Sequence, residues 1–464
     1  MVALLAIVLF SLPVIYFLRL GYRPSIVLMG LVLVNIMSFY LIEYIKLDAS
    51  MILQHSYKFK RSYLDADLPV LLMFGLLMLS IATPALLASR RATSFEADVG
   101  VKDSVAIDRF MIVYLVVVTL LCCLHAFASN LAFLSPYTAY LSLRGPEMLS
   151  LRIAPLDIFH MNIGTFGIVQ SFILFYMIQR RNALGVALVM VGFSYMALFQ
   201  AASLSRWLVL QLVIPPLLSV ISGRKMKLGI PAMGAVAVAM PIYYSIMSSR
   251  SNFELGIGSL IDNVVAIPRW SAEFFISTAA NIFGGGLVIA EAGLKQAVSY
   301  PGIYKALSFS PLPSAIDGFA GILHHQQRIN VYGPFNAFAE AYWFGWPWVV
   351  LLFLIVGVVV YLNDRLEATV TSSSLAGRLL VRLPNLLLFY GVLLMTQYPL
   401  RNSLRWVLFS GLACLFGLIY MRIQRRRAAV RSAQNARVDP VKPPSARSSL
   451  WEPATGAGAA PPRS

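Results

Sequence analysis

The side chains best suited to chemistry in this sequence are a glutamate and two histidines close to one hydrophobic stretch. Glu340 follows Asn336 by four residues, so the two share one face if the segment is helical. A carboxyl group buried there has a raised pKa, which suits a general base that deprotonates a hydroxyl group. Pairing with an arginine is the alternative role. His324 and His325 are the other candidate bases near neutral pH, unless they are a solvated loop pair.

Arginines near the ends of hydrophobic stretches form a second group. The planar guanidinium group makes paired hydrogen bonds to phosphate oxygens, so several such arginines indicate a diphosphate site. A single arginine at this depth more often anchors a helix at the membrane surface. The arginines assigned to diphosphate binding are Arg206, Arg250, Arg269 and Arg328. Four more on the same side of the chain are Arg144, Arg152, Arg401 and Arg405.

Composition places the chain in a lipid bilayer. Hydrophobic residues make up 59% of the 464 residues, charged residues only 12%, and the mean hydropathy is +0.75, whereas soluble proteins carry about 25% charged residues. A hydrocarbon layer about 30 Å thick requires roughly 20 apolar residues per helix, and helices satisfy their own backbone inside lipid. We therefore expect an all-α, polytopic integral membrane helical bundle. The eleven predicted spans are residues 2–19, 24–45, 67–89, 109–129, 158–178, 183–201, 205–222, 228–247, 337–362, 384–400 and 403–421.

The basic residues predict how these spans are oriented. With the N-terminus outside, 23 of the 37 Lys and Arg residues lie on the inner side and 14 on the outer side, whereas 12 of the 20 acidic residues lie outside. This is the positive-inside asymmetry of membrane proteins. Orientation thus explains the formal net charge of +17, and no basic stretch has the interleaved aromatic residues of a protein that binds single-stranded nucleic acid.

The chain divides into one transmembrane domain, residues 1–427, and a tail, residues 428–464, that is rich in Ala, Pro, Ser and Arg. That composition predicts a disordered cytoplasmic tail. Residues 274–294 are apolar enough to dip into the membrane, but their glycines and Glu291 argue against a full span. Three outer segments are long enough to fold over the bundle: residues 46–66, 130–157 and 248–336.

Three further features carry weaker signals. Asp65 and Asp67 resemble a carboxylate pair that holds a metal ion, but capping of the next helix explains them as well, and no metal ligand is assigned. His125 is the main ionisable residue inside a span, and a packed, hydrogen-bonded histidine is its simpler interpretation. The cysteines suit apolar packing; they are Cys122, Cys123 and Cys414.

Three motifs occur at corresponding places in the layout of spans and loops. Ser205-Arg206-Trp207 opens a span, Ser308-Phe-Ser-Pro311-Leu-Pro313 lies in the long outer loop, and Asn336 through Gly345 leads into the next span. These motifs resemble the O-antigen polymerase and ligase superfamily, which includes Wzy-type oligosaccharide repeat-unit polymerases, and the resemblance implies a GT-C-like helical bundle. The layout of spans and loops covers nearly the whole chain, whereas the motifs cover a small part of it. Phe335 stands where ligases often have a histidine, which favours a polymerase over a ligase.

The resemblance implies metal-independent glycosyl transfer between undecaprenyl-diphosphate-linked oligosaccharides on the outer face of a bacterial inner membrane, with no cofactor. Its product is O-antigen or exopolysaccharide. The expected partners are the lipid-linked oligosaccharide, membrane lipids and a chain-length regulator, but no nucleic acid. The arginines hold the departing diphosphate, and Glu340 or a histidine serves as the base. Sugar binding is assigned to Tyr332, Asn336, Tyr342 and Trp343, although aromatic residues at this depth also form interfacial belts.

Three alternatives stay open. The first is a lipid-oligosaccharide flippase or other transporter without chemistry, against which the low charge of the span centres argues. The second is an O-antigen ligase-like enzyme. The third is a polyprenyl-phosphate-sugar-dependent glycosyltransferase that uses Asp65 and Asp67, and a requirement for a divalent metal would distinguish it.

Overall fold

The structure is a computed structural model that describes most of the chain after residue 67. The described residues are 68–87, 95–96, 101–135, 148–221, 229–251, 256–266, 278, 285–312, 317–329, 334–371 and 375–438. The predicted spans 2–19 and 24–45, the outer segment 46–66 and the Asp65/Asp67 pair lie outside these residues.

The described part of the chain is helical apart from one short strand pairing. Its α-helices are α1 (Leu68–Leu87), α2 (Val101–Ala128), α3 (Ala154–Met161), α4 (Ile163–Arg180), α5 (Ala183–Ala202), α6 (Trp207–Ile221), α7 (Gly229–Ser251), α8 (Gly256–Val265), α9 (Gly285–Leu294), α10 (Gly302–Ser308), α11 (Ala337–Phe344), α12 (Trp346–Thr369), α13 (Leu375–Met395) and α14 (Leu400–Val438). Two 3-10 helices cover Ala132–Leu134 and Phe319–His325. The two-residue strands β1 (Phe95–Glu96) and β2 (Val370–Thr371) pair in parallel.

Within the described residues, four helices are long and apolar enough to cross a membrane, and a bent pair makes a fifth candidate. By length and composition, these helices are compatible with a helical membrane protein. The four candidate spans are Arg109–Ala128, Ala183–Ala202, Trp346–Glu367 and Leu400–Ile423. The bent pair is α3 with α4, whose axes meet at 76°.

Each predicted span from residue 67 onward contains a described helix, but two of them are broken. The predicted span over 158–178 contains a break that the sequence did not predict, because the helix ends at Met161 and restarts at Ile163. Asn162 lies at this break, where its Nδ2 donates to the carbonyl of Ile158 at 2.8 Å. The Ile158 carbonyl also accepts from the Asn162 N–H at 3.1 Å, so the side chain is an additional donor at the end of α3. A side chain that enters the helical hydrogen-bond ladder in this way accompanies sharp bends.

The predicted span 337–362 is also divided. Gly345 has a φ of 102°, a left-handed conformation that glycine adopts without strain. The helix α11 therefore ends at Phe344, and the apolar span begins at Trp346. At the other end of the chain, α14 continues to Val438, into the segment predicted to be a disordered tail. Alanine, arginine and glutamine after residue 427 are strong helix formers, which explains the extension.

The helices up to Gly417 pack in two groups. One contains α1, α9, α11, α12 and α13, whose buried side chains share one hydrophobic core, and the other contains α2 to α8. Trp207, at the start of α6, joins the groups because its ring lies 5.5 Å from that of Tyr390 and 6.2 Å from that of Trp406. A Cβ atom on Gly164 would lie 2.7 Å from Trp207 Cγ, so this position of α4 accommodates only glycine without rearrangement.

Candidate functional site

The turn between α13 and α14, residues 396–399, is held by two side chains of α11 and its cap. Asn336 Nδ2 donates to the carbonyl of Thr396 at 2.8 Å, and the N–H of Leu400 donates to Glu340 Oε2 at 2.7 Å. Both Asn336 and Glu340 are fully buried. The four-residue spacing in the sequence thus corresponds to one helical face, which packs on this turn.

Asn336 also begins the helix that carries Glu340. Its Oδ1 accepts from the N–H of Ala339 at 3.0 Å, and its own carbonyl accepts from the N–H of Glu340 at 3.0 Å. This is the N-cap arrangement that asparagine forms at helix starts. Asn336, predicted to bind sugar, therefore has its amide group engaged in capping and in the bond to Thr396.

Arg206 reaches the same turn from the other helix group. Its Nη1 lies 3.5 Å from Gln397 Oε1, and its side chain is half-buried. It precedes α6, after a backbone reversal at Leu204, whose φ is 48°. Arg206 therefore contacts the 396–399 turn, and Glu340 contacts Leu400, the residue that follows the turn. The sequence predicted separate roles for these residues, and their contacts lie three residues apart in the chain.

Burial dominates the electrostatics of Glu340. It raises the pKa of this carboxyl to about 7, while the hydrogen bonds from the Leu400 N–H and from Tyr304 act in the opposite direction. The hydroxyl of Tyr304 donates to Glu340 Oε1 at 2.9 Å, and burial followed by the nearby carboxylate raises the pKa of Tyr304. A carboxyl group with a pKa near 7 exchanges a proton readily at neutral pH, which is the property required of a general base.

Aromatic rings enclose the Tyr304 side of this carboxyl group. The ring of Tyr304 stacks on Tyr300 at 5.1 Å and lies 5.2 Å from Phe319, while Tyr300 lies 4.9 Å from Phe344. No described residue forms a hydrogen bond with the buried Tyr300 hydroxyl. The segment that contains α10 therefore covers Glu340, and a substrate reaches the carboxylate only if this segment moves.

Arg401 is the residue that holds this covering segment to the start of α14. Its Nη2 pairs with Asp317 Oδ2 at 2.6 Å, both side chains are buried, and its guanidinium lies 4.1 Å from the centre of the Phe319 ring. It also donates to the carbonyls of Leu307 and Leu312. Burial acts to raise the pKa of Asp317, but the hydrogen bonds from Arg401 and others outweigh it and lower that pKa. The contacts of Arg401 therefore hold the covering segment against the start of α14.

The two histidines predicted as bases lie elsewhere on the covering segment. His324 and His325 end the 3-10 helix Phe319–His325, with ring centres 4.0 Å apart. His324 is exposed and His325 is half-buried. No hydrogen bond described in the structure joins either of them to Glu340. Glu340 is thus the predicted base that contacts the residue next to the 396–399 turn.

The other predicted diphosphate ligands are not gathered at the turn. Arg328 is exposed, and its backbone pairs with that of Pro334. The backbone of Arg250 lies in α7, but its side chain is not described. Arg269 and Tyr332 lie outside the described residues. Arg206 is therefore the predicted phosphate ligand for which the structure gives a side-chain contact at this site.

The aromatic pair assigned to sugar binding packs between two helices. Tyr342 and Trp343 are half-buried, with ring centres 5.3 Å apart in an edge contact. Trp343 Nε1 donates to the carbonyl of Gly293 at 3.0 Å and so ties α11 to α9. Gly293 lies so close to α11 that a Cβ atom there would be 2.6 Å from the Cβ of Ala339. These rings support the helix that carries Glu340.

Sequence reasoning missed a second polar cluster. His125 is paired with a second histidine: its Nε2 lies 2.8 Å from His160 Nδ1, and its Nδ1 lies 2.6 Å from the Tyr195 hydroxyl. Both histidines are buried. His160 was available in the sequence as a histidine inside the predicted span 158–178, but its proximity to His125 depends on how α2, α3 and α5 pack.

Comparison with known proteins leaves the resemblance untested. No protein-family model, no curated protein and no solved structure matches this chain. Functional interpretation consequently rests on the motifs in the sequence and on the contacts around residues 396–399.

Proposed function

We propose that this protein polymerises undecaprenyl-diphosphate-linked oligosaccharide repeat units into O-antigen or exopolysaccharide. The observation that supports the proposal most is the contact of Arg206 with the 396–399 turn and of Glu340 with the residue that follows it. One supplies a cation for a diphosphate, and the other supplies a carboxyl group whose pKa is about 7. Transfer of a glycosyl group from a lipid diphosphate requires these two functions.

In the proposed reaction, the acceptor hydroxyl loses its proton to Glu340 while its oxygen forms a bond to the anomeric carbon of the growing chain. The bond between that carbon and the diphosphate oxygen breaks, and the lipid diphosphate leaves with the electron pair. Arg206 stabilises the negative charge that develops on this leaving group. Because Tyr304 and Leu400 cover the carboxylate, the α10 segment opens before the acceptor hydroxyl reaches Glu340.

The membrane arrangement belongs to the same proposal. Eleven spans, with the ninth beginning at Trp346, put the N-terminus outside and the C-terminus in the cytoplasm of a bacterial cell. The 396–399 turn then faces the outer side of the inner membrane, at the depth of a lipid diphosphate. The lipid-linked oligosaccharide and membrane lipids are the partners, together with a chain-length regulator. No metal ion or cofactor enters the reaction.

A strain that lacks the protein tests this function. It should keep single lipid-linked repeat units on the outer face of the inner membrane and lose long polymer. The wild-type gene should restore polymer, and so should an Arg152→Ala variant, because Arg152 is an exposed arginine away from the turn. Arg206→Ala should fail to restore it at an equal amount of membrane protein.

The same strain separates the proposal from its alternatives. Repeat units that accumulate on the cytoplasmic face would indicate a flippase. Polymer that still forms but is not transferred to its final acceptor would indicate a ligase. Long polymer of normal length in the strain would contradict the polymerase directly.

A further inference from the structure

Two buried histidines and a half-buried tyrosine form a continuous hydrogen-bonded line inside the α2–α8 group. The Tyr195 hydroxyl lies 2.6 Å from His125 Nδ1, and His125 Nε2 lies 2.8 Å from His160 Nδ1. The three residues come from α5, α2 and α3 respectively. Each ring nitrogen of a neutral histidine is either a donor or an acceptor. The two contacts can therefore be ordered in two directions, with His125 either accepting from Tyr195 and donating to His160 or accepting from His160 and donating to Tyr195.

The two histidines are buried, and aromatic rings surround them. The ring of His125 makes edge contacts with Phe159 at 5.7 Å and with Phe199 at 5.2 Å, and Phe199 also contacts His160 at 5.6 Å. His125 is 0% exposed and His160 is 4% exposed. A single imidazolium ion in such a place loses its hydration, which strongly disfavours the charged form. A second nitrogen at hydrogen-bond distance offsets part of that loss.

We propose that His125 and His160 form a binding site for one proton, shared between His125 Nε2 and His160 Nδ1. A hydrogen bond to a charged group is shorter and stronger than one between neutral groups. Binding of a second proton would place two positive charges next to each other in a medium of low dielectric constant, where their repulsion is large. The site therefore holds one proton and excludes another. This inference does not depend on the proposed polymerase function.

The position of the pair in the fold favours a bound positive charge. His125 lies in the last turn of α2, and His160 lies in the last turn of α3, just before the 76° bend. Both helix C-termini carry partial negative charge, which stabilises a cation. Broken helices commonly place such sites inside membrane proteins.

Other titratable groups face this pair from each neighbouring helix. Asp157 lies one turn before His160 on α3, and its Oδ1 is buried without a hydrogen-bond partner among the described residues. Cys122 is buried one turn before His125 on α2. From α5, the Tyr195 hydroxyl contacts His125.

The test uses the full chain in lipid bilayers, labelled with 15N-histidine and followed by solid-state NMR from about pH 8 to about pH 5, the range in which histidine ordinarily titrates. We expect the ring nitrogens of His125 and His160 to move together in one step, with uptake of one proton by the pair. In His160→Gln, His125 should stay neutral over the pH range in which the wild-type pair becomes charged. His324→Gln removes an exposed histidine and should leave the step unchanged.

Three results would overturn the shared site. The rings could titrate in two steps with one proton each, they could both stay neutral throughout, or His125 could titrate identically in the wild type and in His160→Gln. The wild-type measurement is decisive by itself if the variant does not fold, because it distinguishes one shared proton from two protons or none.

Discussion

The Tyr304 hydroxyl donates to Glu340 Oε1 at 2.9 Å, across 36 residues of sequence. This bond connects the covering segment of the outer loop to the carboxyl group proposed as the base. The second oxygen of that group accepts from the Leu400 N–H, at the start of the last helix. Glu340 is therefore a junction of three segments, and both its chemistry and its contribution to stability depend on its protonation.

Glu340 should make stability depend on pH in a defined window. Its pKa is raised from 4.5 to about 7 in the folded protein, so the folded state retains a proton that the unfolded chain has lost between these values. The free energy of unfolding should consequently fall as pH rises from about 4.5 to about 7, by roughly 3 kcal/mol. Glu340→Gln cannot ionise and should lose this part of the slope. Thermal unfolding in detergent across this range measures the difference, and equal slopes in the two proteins would contradict the prediction.

Asn336→Ala should destabilise the protein more than loss of a helix cap alone. Asn182 supplies the matched control because its side chain caps α5 by accepting from Gly185 N–H at 2.9 Å. We expect the free energy of unfolding to fall by about 1 kcal/mol in Asn182→Ala. In Asn336→Ala it should fall by about 2 kcal/mol, because this substitution also leaves the Thr396 carbonyl without its donor. Chemical unfolding of both variants tests this. Equal losses would show that the bond to the 396–399 turn contributes nothing measurable.

Asp317→Asn should loosen the covering segment. The substitution leaves the guanidinium of Arg401 buried without its counter-charge, at an expected cost of about 3 kcal/mol. Limited proteolysis should then cut within residues 301–329 faster than in the wild type. Asp262→Asn is the same chemical change at an exposed position of α8 and should alter stability by less than about 0.5 kcal/mol. Unchanged proteolysis in Asp317→Asn would mean that the ion pair does not hold the segment.

Orientation is tested by reporter fusions. We expect alkaline phosphatase to be active when fused within residues 317–329 and inactive when fused after Val438, because the basic residues place these points on opposite sides. A fluorescent protein at the second point should fold and fluoresce in the cytoplasm. Phosphatase activity after Val438 would reverse the proposed arrangement.

Hydrophobic runs were sufficient to locate several of the long helices that the structure describes. The prediction of residues 183–201 corresponds to the helix Ala183–Ala202, and the prediction of 205–222 corresponds to Trp207–Ile221. The breaks at Asn162 and Gly345 were missed because hydrophobic residues lie on both sides of each, so the average hydropathy of the predicted span stays high. One depends on a side-chain hydrogen bond, and the other depends on a backbone conformation.

The site was predictable only in its local part. The shared face of Asn336 and Glu340 follows from helical spacing, and Arg206 was recognised from its place at a span end. The bonds from Asn336 to Thr396 and from Leu400 to Glu340 each join residues 60 positions apart. The pair Arg401–Asp317 is separated by 84 positions. Such contacts depend on tertiary packing, which a single sequence without recognisable repeats does not reveal.

Polymer formation by purified protein in lipid bilayers tests the proposed function most directly. The assay supplies lipid-linked repeat units with excess chelator and compares wild type with Arg206→Ala, Arg206→Lys and the double variant Asp65→Asn/Asp67→Asn. We expect polymer from the wild type and the double variant, a roughly hundredfold slower reaction for Arg206→Ala, and partial activity for Arg206→Lys because lysine lacks the paired donors. Loss of the wild-type reaction in chelator, or full activity in Arg206→Ala, would contradict metal-independent transfer with Arg206 on the leaving diphosphate.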